Sequence, residues 1–375
     1  MRIRKIEMLN FKGFEKKEVE FNGMLTVAIG NNTAGKTTLL NAIQVGLGAY
    51  LQSLKSLRGG KGFRRNFVPA DRFLKYNNEK KDYFPNEELP RISIDAYIYN
   101  SQKLGLNGIT LIPQNVKWYR EYTKAGSTTH NQECAGELIN IVNQIEHRRE
   151  QHGDNAVLPV VLSFGTNRID AQFRQSRKVI ERQQKIERAY RAALDSDQVD
   201  FVGALDWLRR YDKNIKDGKE FEGTKEAFYH ALETAIPTLS EIDLDNGEIE
   251  AVVSIYGKTP ERHHYSYMSD GLKSMINIVS EIAYRCIELN GYLGYNAITY
   301  TPGIVLIDEV DLYLHPIWQR TILRDLMNAF PNIQFIVTTH SPFIIQSLKQ
   351  GELISFDNDL YAEGEIGRAS CRERV

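Results

Sequence analysis

A phosphate-binding loop near the N-terminus is the feature that most limits the folds open to this chain. Residues 30 to 37 read Gly-Asn-Asn-Thr-Ala-Gly-Lys-Thr, which satisfies the pattern G-x-x-x-x-G-K-[ST]. An apolar run from Met24 to Ile29 precedes this phosphate loop, and a helical pattern from Thr38 to Leu47 follows it. A strand–loop–helix unit of this kind presents backbone amides and a helix N-terminus to an anion. The pattern therefore predicts an α/β fold that binds a nucleoside triphosphate.

Individual positions of the phosphate loop have expected contacts. We expect Lys36 to reach the β- and γ-phosphates and the Thr37 hydroxyl to ligate Mg²⁺. The other positions expected to surround the nucleotide are Gly30, Asn31, Asn32, Thr33, Ala34, Gly35 and Thr38.

Two later apolar runs end in polar residues, as buried parallel strands often do. The run from Gly303 to Ile307 leads into Asp308 and Glu309, and the run from Phe335 to Val337 leads to His340. Ligands of open α/β sheets bind outside the carboxyl ends of the strands, so these groups are predicted to face the phosphate loop. We expect Asp308 to hold Mg²⁺, Glu309 to polarise the attacking water, and His340 to contact the γ-phosphate or that water.

A fourth stretch, the signature segment from Tyr267 to Ser274, combines small residues with the start of an apolar helical pattern. The Ser269 hydroxyl, the Gly271 amide and the helix N-terminus form a second predicted anion-binding surface. Because each chain already has a phosphate loop, we expect this surface to act on a nucleotide held by another copy. A serine that caps an ordinary helix explains the same residues, and the sequence leaves both interpretations open.

In this order, the four segments resemble the ATPase head of the ABC/SMC/RecF/OLD branch of phosphate-loop proteins. Residues 3 to 14, which include Asn10-Phe11-Lys12, resemble the strand and turn with which such heads commonly begin. Residues 158–168, 306–316 and 331–342 resemble, more narrowly, the "predicted ATP-binding protein involved in virulence" family, which is close to the ATPases of Septu and retron anti-phage systems. The implied fold class is an α/β P-loop NTPase head, with a mixed sheet flanked by helices and a helical insertion.

The resemblance also implies roles for individual residues, with ATP and Mg²⁺ as cofactors. Lys36, Thr37 and Asp308 match the nucleotide and Mg²⁺ residues, Glu309 matches the catalytic glutamate, and His340 matches the switch histidine. The matches to the signature that acts in trans are Ser269, Gly271 and Lys273, and the match to a basic residue near the nucleotide is Lys12.

Two departures from the family pattern bear on turnover. No glutamine stands at the tip of Val160 to Phe164, close to where this branch places its Q-loop, and Arg168 falls nearby. Asp270 stands where many relatives carry glycine. A carboxylate there is expected to weaken engagement of ATP in trans, which makes hydrolysis slow or partner-dependent and keeps a non-hydrolysing scaffold as an alternative.

The composition argues against a membrane protein and a secreted protein, and it excludes few other classes of protein. The chain has 47 Lys and Arg against 48 Asp and Glu, so its net charge of −1 supports no nucleic-acid claim. Its three cysteines are far apart in the sequence and are typical of a reducing compartment. No apolar stretch approaches membrane-spanning length. We expect a cytoplasmic protein that does not contact a membrane.

The motif positions divide the chain into an N-terminal lobe (1–165), a helical insertion or lid (166–238), a C-terminal lobe (239–357) and a disordered or truncated tail (358–375). Lys55 to Lys81 is a basic stretch, and a second group of cations lies in the insertion. Either group can contact DNA or RNA, dock an acidic protein or form an ordinary solvated face. The second group consists of Arg174, Arg177, Lys178, Arg182, Lys185, Arg188 and Arg191.

Together these expectations describe an ATPase that forms a homodimer around ATP and acts in an anti-phage defence module. Its predicted output is the control of a nuclease or toxin partner. The alternative is a RecF-like ATPase of DNA repair or genome maintenance that binds DNA directly.

Overall fold

The computed structural model describes residues 1–57, 63–104, 108–152, 156–169, 184–245, 247–254 and 259–357. Its strands are β1 (Arg2–Phe11), β2 (Phe14–Glu20), β3 (Leu25–Ile29), β4 (Leu74–Asn77), β5 (Asp82–Pro85), β6 (Arg91–Leu104), β7 (Gly108–Glu121), β8 (Val160–Phe164), β9 (Leu239–Asp245), β10 (Glu248–Val253), β11 (Glu261–His264), β12 (Gly303–Ile307), β13 (Ile333–Thr338) and β14 (Leu353–Ser355). Its α-helices are α1 (Lys36–Ser53), α2 (Gln132–His152), α3 (Lys185–Tyr190), α4 (Phe201–Lys216), α5 (Thr224–Ala235), α6 (Asp270–Asn290), α7 (Pro316–Gln319), α8 (Ile322–Ala329) and α9 (Pro342–Gln346).

A five-stranded parallel sheet forms the centre of the fold, in the order β14-β3-β13-β12-β8. Every residue of β3, β8, β12 and β13 is buried, as expected for apolar strands covered on both faces. Because all five strands run in the same direction, their carboxyl ends meet at one edge. The segments that carry the phosphate loop, Asp308 and His340 therefore leave the sheet side by side.

A four-stranded antiparallel sheet, in the order β2-β1-β6-β7, lies on the other side of α1. The glycine at position 46 allows α1 to approach this sheet closely, because a Cβ there would lie 2.2 Å from Ile94 Cδ1. Trp118 Nε1 donates a hydrogen bond of 2.9 Å to the Gly46 carbonyl. Helix α1 is consequently packed between the two sheets, which fixes the direction in which its N-terminus points.

Helices α3, α4 and α5 pack against the long, largely buried helix α6. A buried ion pair within α6 joins Glu281 and Arg285, which are both 2% exposed and 2.6 Å apart. Arg285 also donates to the carbonyl oxygens of Ala189 and Arg191, at 2.6 and 2.8 Å. These contacts connect the end of α3 with α6, the helix that starts in the signature segment.

Three of the seven cations that the sequence groups in the insertion lie in described residues, and all three are engaged within the protein. Lys185 pairs with Glu220 at 2.9 Å, Arg188 pairs with Glu288 at 2.8 Å, and Arg191 is buried. These three residues therefore do not form an open surface for a phosphate backbone. The other members of the group, Arg174, Arg177, Lys178 and Arg182, lie outside the described residues, as does the tail 358–375.

The helix that the sequence pattern predicts from Pro316 to Phe330 is divided into α7 and α8. The chain turns at Thr321, whose carbonyl accepts the amides of Arg324 and Asp325 at 2.8 and 3.0 Å and so starts the second helix. The predicted lobe and insertion boundaries at 165 and 238 remain predictions.

Candidate nucleotide-binding site

The phosphate loop joins β3 to α1 and is wrapped around its own lysine. Lys36 Nζ donates to the carbonyl oxygens of Gly30 and Asn31, at 2.7 and 3.0 Å. The Asn31 amide donates to Asp357 Oδ2 at 2.7 Å, so the segment after β14 also supports the loop. Partial burial lowers the pKa of Lys36, and the carboxylates of Asp357, Asp308 and Glu309 oppose that shift. Asn31 to Thr33 are exposed, and the first turn of α1 carries no acidic residue, which leaves this helix N-terminus open to an anion.

Two glycines give the loop its shape. Gly30 and Gly35 have φ angles of 153° and 105°, which favour glycine. A Cβ at Gly35 would lie 2.2 Å from Cζ of Phe14, so the start of β2 packs directly on the loop. The loop therefore depends on the antiparallel sheet for its position.

Thr37 and Asp308 come together at the end of β12, as a magnesium site requires. Thr37 Oγ1 donates to Asp308 Oδ2 at 3.0 Å, and Thr338 Oγ1 donates to Asp308 Oδ1 at 2.5 Å. A hydroxyl and a carboxylate at the mouth of a phosphate loop are oxygen donors of the kind that Mg²⁺ uses with few protein ligands. The residues present therefore fit a nucleotide-bound Mg²⁺.

Glu309 lies beside this pair in an unusual backbone conformation. Its φ of 47° is in the left-handed region, which costs roughly 1–2 kcal/mol for a residue with a side chain. Its amide donates to Thr338 Oγ1 at 2.8 Å, and its carbonyl accepts a short hydrogen bond from Arg168 Nη2. The next amide, of Val310, donates to the Thr338 carbonyl at 3.0 Å. The glutamate backbone is thus held at both of its polar groups.

His340 follows β13 at the same edge of the sheet and is exposed. The preceding residue is anchored, because Thr339 Oγ1 donates to Asp311 Oδ1 at 2.5 Å. After the histidine, Ser341 caps α9 through its hydroxyl oxygen, which accepts the amides of Phe343 and Ile344. His340 therefore follows the anchored residue Thr339, at the edge of the sheet where β13 ends, and is exposed to solvent.

Lys12 occupies the turn between β1 and β2, next to the loop, but its ammonium faces Asp71. Lys12 Nζ lies 3.7 Å from Asp71 Oδ1, and Arg65 Nη2 lies 3.6 Å from the same oxygen. Burial and the neighbouring Arg65 lower the pKa of Lys12, and Asp71 opposes the shift. The prediction that Lys12 lies near the nucleotide rests on the turn alone, since Phe14, two residues later, contacts Gly35.

The signature segment begins α6, and no hydrogen bond or ion pair among the described residues joins it to its own phosphate loop. Ser269 is the N-cap of α6, and its hydroxyl oxygen accepts the Leu272 amide at 3.5 Å. Ser269 and Asp270 are exposed, and Lys273 is half-buried. Gly271 is buried against the turn after β12, where an added Cβ would lie 2.6 Å from the Tyr313 carbonyl oxygen. The capping role is thus present, on a serine that is itself exposed.

Comparison with protein-family models agrees with this geometry. A model described as an AAA domain matches residues 5–242. This chain belongs to the AAA domain family. A second AAA domain model, whose description names a candidate AbiEii toxin of a type IV toxin–antitoxin system, matches residues 169–346. The AAA protein is an ATPase of the phosphate-loop class, as the sequence predicts, and that fold implies nucleotide binding.

Individual relatives support the narrower resemblance. The AAA protein is 25% identical over 415 residues to the "Retron Ec83 probable ATPase" of Escherichia coli, covering 93% of this chain and 70% of the relative. It is 26% identical over 357 residues to the Septu protein PtuA of Bacillus mycoides, covering 94% of this chain but only 40% of that protein. The predicted similarity to retron and Septu ATPases is confirmed.

Among solved structures, an Smc head bound to the C-winged helix domain of ScpA shares the fold. The TM-score is 0.51 at 17% identity, covering 95% of this chain and 94% of the other. The predicted α/β P-loop NTPase fold of the SMC-head type is confirmed. No helix in the described part of the AAA protein is both long and apolar enough to cross a membrane.

Three polar residues of the site are not among those that the sequence predicts. Thr338 ends β13 and Asp311 lies in the turn after β12, so the polarity of both residues within the motif segments was the available signal. Asp357 follows an ordinary short strand and gave no such signal. Its contact with Asn31 spans 326 positions and exists only because β14 pairs with β3.

Proposed function

We propose that this AAA ATPase closes face to face with a second copy around Mg·ATP. Each nucleotide would lie between Lys36 of one copy and Ser269 of the other. The observation that carries the proposal is the separation of the two halves of this site. The Lys36–Asp308 half is assembled within one chain, whereas Ser269 is exposed and its described hydrogen bond stays within α6.

The surroundings of Ser269 support contact with another molecule. Tyr267 is 81% exposed, Tyr313 is 47% exposed and Ile317 is 64% exposed. Tyr313 and Trp318, the residue after Ile317, both lie beside Gly271 of the signature segment. An added Cβ at Gly271 would be 2.6 Å from the Tyr313 carbonyl oxygen and 3.6 Å from Trp318 Cζ3. Exposed aromatic and aliphatic side chains grouped in this way are typical of a protein interface. A two-fold dimer would use the patch twice, opposite two phosphate loops.

The chemistry assigned to the described residues is hydrolysis of the γ-phosphate. Lys36 and the loop amides would bind the β- and γ-phosphates, while Thr37 and Asp308 would hold Mg²⁺. When bound, Mg²⁺ would neutralise part of the negative charge of the phosphates. Glu309 would accept a proton from the attacking water, and His340 would contact the γ-phosphate or that water. ATP and water become ADP and phosphate, and the dimer loses the γ-phosphate that joins its halves.

The output of this cycle would be control of a nuclease or toxin partner in an anti-phage defence module. Retron and Septu proteins among the relatives support that assignment. Since the chain spans 40% of the PtuA length, the activity of a complete defence protein is carried over here as part of the proposal. Binding of ATP would favour the closed state, and hydrolysis would release it.

Multi-angle light scattering of wild-type protein and Glu309→Gln, with and without Mg·ATP, tests the dimer. We expect the mass to double with ATP, and the doubled mass to persist in Glu309→Gln because hydrolysis is blocked. Ser269→Arg should prevent the increase by placing a bulky cation at the shared nucleotide. The matched control is Ser240→Arg, which changes an exposed serine on β9; strand β10 separates β9 from β11, the strand that leads into the signature segment.

A mass that stays monomeric in both wild type and Glu309→Gln, while ATP still binds, would contradict the sandwich. Equal dimerisation of Ser269→Arg and Ser240→Arg would contradict the role of the signature segment. ATP turnover that rises with bare duplex DNA would favour the RecF-like function instead of control of a protein partner.

A further inference from the structure

Arg168 is a buried arginine at the carboxyl end of β8 that faces the acidic side of the site. It is 1% exposed, and among the described residues its guanidinium has one hydrogen-bond partner, the Glu309 carbonyl oxygen, which accepts from Nη2. Burial lowers the pKa of Arg168 to about 10, and the carboxylates of Asp311, Asp308 and Glu309 oppose that shift. The guanidinium is therefore charged at neutral pH. A buried cation with two nitrogens that lack a partner among the described residues is costly, which calls for an explanation beyond packing.

We propose that Arg168 is a positioning residue that holds the backbone of Glu309 and joins it to the signature helix α6. The inference rests on the proposed role of Glu309 as the catalytic carboxylate. Its first support is the left-handed φ of 47° at Glu309, a strained conformation that neighbouring contacts must maintain. Thr338 fixes the amide side of this residue and Arg168 fixes the carbonyl side. Because φ sets the direction of the Cα–Cβ bond, these contacts determine where the carboxylate points.

The second support is a connection from Arg168 to α6. Asn277, which is fully buried in α6, donates from Nδ2 to the Arg168 carbonyl at 3.0 Å. The Tyr265 hydroxyl, just before the signature segment, donates to Asn277 Oδ1 at 2.8 Å. A displacement of α6 on contact with a second copy would thus pass through Asn277 and Arg168 to the Glu309 backbone.

The test compares Arg168→Lys with Arg120→Lys. Arg120 is equally buried but lies on β7, where it donates to the carbonyl oxygens of Val45 and Arg65 at 2.8 and 2.9 Å. Lysine keeps the charge at each position and removes the planar guanidinium. We expect both variants to lower the unfolding temperature of the nucleotide-free protein. Only Arg168→Lys should lower kcat, by about a hundredfold, as expected when a catalytic group is misplaced.

The affinity for ATP, measured by calorimetric titration, separates positioning from binding. We expect Arg168→Lys to change the Kd for ATP by less than about threefold. Arg168 would act through Glu309, whose carboxylate assists the attacking water in the transition state and does not hold the bound ATP. Parallel loss of ATP affinity and kcat would overturn the proposal, because it would make Arg168 part of the binding site. Equal kcat losses in Arg168→Lys and Arg120→Lys would also overturn it, because that result is general destabilisation.

Tyr265→Phe provides a milder variant should Arg168→Lys fail to fold. It removes the hydroxyl that holds Asn277 and keeps the ring contact with Phe201, whose centroid is 4.7 Å away. We expect kcat to fall about threefold, the size of one lost hydrogen bond. The unfolding temperature should fall no further than in Arg120→Lys, and an unchanged kcat would contradict the connection. Glu309→Gln separates this inference from the proposed function. If it turns over ATP normally, the role of Glu309 fails; if it is inactive while Arg168→Lys equals wild type, only the role of Arg168 fails.

Discussion

At the scale of single residues, Thr338 connects the two carboxylates of the site. Its hydroxyl accepts the Glu309 amide at 2.8 Å and donates to Asp308 Oδ1 at 2.5 Å. The side chain is completely buried, so water could not take the place of its hydroxyl without a rearrangement of the surrounding residues. One hydroxyl therefore orients both the predicted Mg²⁺ ligand and the predicted catalytic glutamate.

We predict that Thr338→Val lowers kcat at least about tenfold, because it leaves a buried amide without an acceptor at a cost of roughly 1–3 kcal/mol. ATP affinity should change much less, since Lys36 and the loop amides are untouched. Steady-state kinetics and ATP titration measure the two effects. Thr338→Ser is the control, because it keeps the hydroxyl. Serine and valine variants that behave alike would show that the methyl group, and not the hydroxyl, matters here.

At the scale of elements, the phosphate loop is held between the two sheets. Phe14, the first residue of β2, occupies the space beside Gly35, and Asp357, just after β14, accepts the Asn31 amide. The ring of Phe14 also lies 6.0 Å from that of Phe356. The antiparallel sheet and the last strand of the parallel sheet thus meet over the loop.

We predict that Gly35→Ala weakens ATP binding by more than about tenfold, because a methyl group would overlap Phe14 and because φ at Gly35 is 105°. The control is Gly13→Ala in the neighbouring turn, where an added Cβ meets nothing within 4 Å. Fluorescence titration with a labelled ATP analogue compares the two. Near-native affinity of Gly35→Ala would mean that the loop does not need its observed shape to bind nucleotide.

The start of α4 offers a second prediction at this scale. Asp200 Oδ1 accepts the Gly203 amide at 3.0 Å, while the Asp200 amide donates to Glu281 of α6 at 3.0 Å. Burial raises the pKa of Asp200 to about 6. A carboxyl whose pKa is higher in the folded state stabilises the fold at low pH, and that stability is lost as pH rises from about 4 to about 6.

We therefore expect the free energy of unfolding of wild type to fall across this pH range relative to Asp200→Asn, by at most about 3 kcal/mol. Asparagine retains the helix cap and does not titrate. Urea unfolding of both proteins at pH 4.5 and pH 7 measures the difference. If the free energy of unfolding depends on pH in the same way for both proteins, ionisation of Asp200 does not destabilise the fold.

At the scale of the whole molecule, the proposed dimer would bury the exposed side chains of Tyr267, Tyr313 and Ile317 around the signature segment. We predict that Ile317→Arg weakens ATP-dependent dimerisation of Glu309→Gln at least about tenfold, because it places a charge in an apolar contact. The unfolding temperature should not change, because Ile317 is 64% exposed. Val202→Arg, at a position on α4 that is 39% exposed, is the control. Sedimentation velocity that shows equal dimerisation for both variants would place the interface elsewhere.

The sequence by itself determined the phosphate loop, the strands that end in Asp308 and His340, and the class of fold. These features are local, because a strand, a glycine loop and a helix start follow one another within a few residues. Their convergence was also predictable, since parallel strands end at one edge of a sheet. The division of the helix after Pro316 was not predictable from its apolar periodicity, which continues across Thr321.

Only the tertiary structure decided which distant side chains complete the site. Asp357 reaches Asn31 because β14 lies beside β3, and Arg168 reaches Glu309 because β8 lies beside β12. The same holds for Lys12, whose ammonium is paired with the buried Asp71. Strand order within a sheet depends on packing among segments hundreds of residues apart, and no local pattern of residues encodes it.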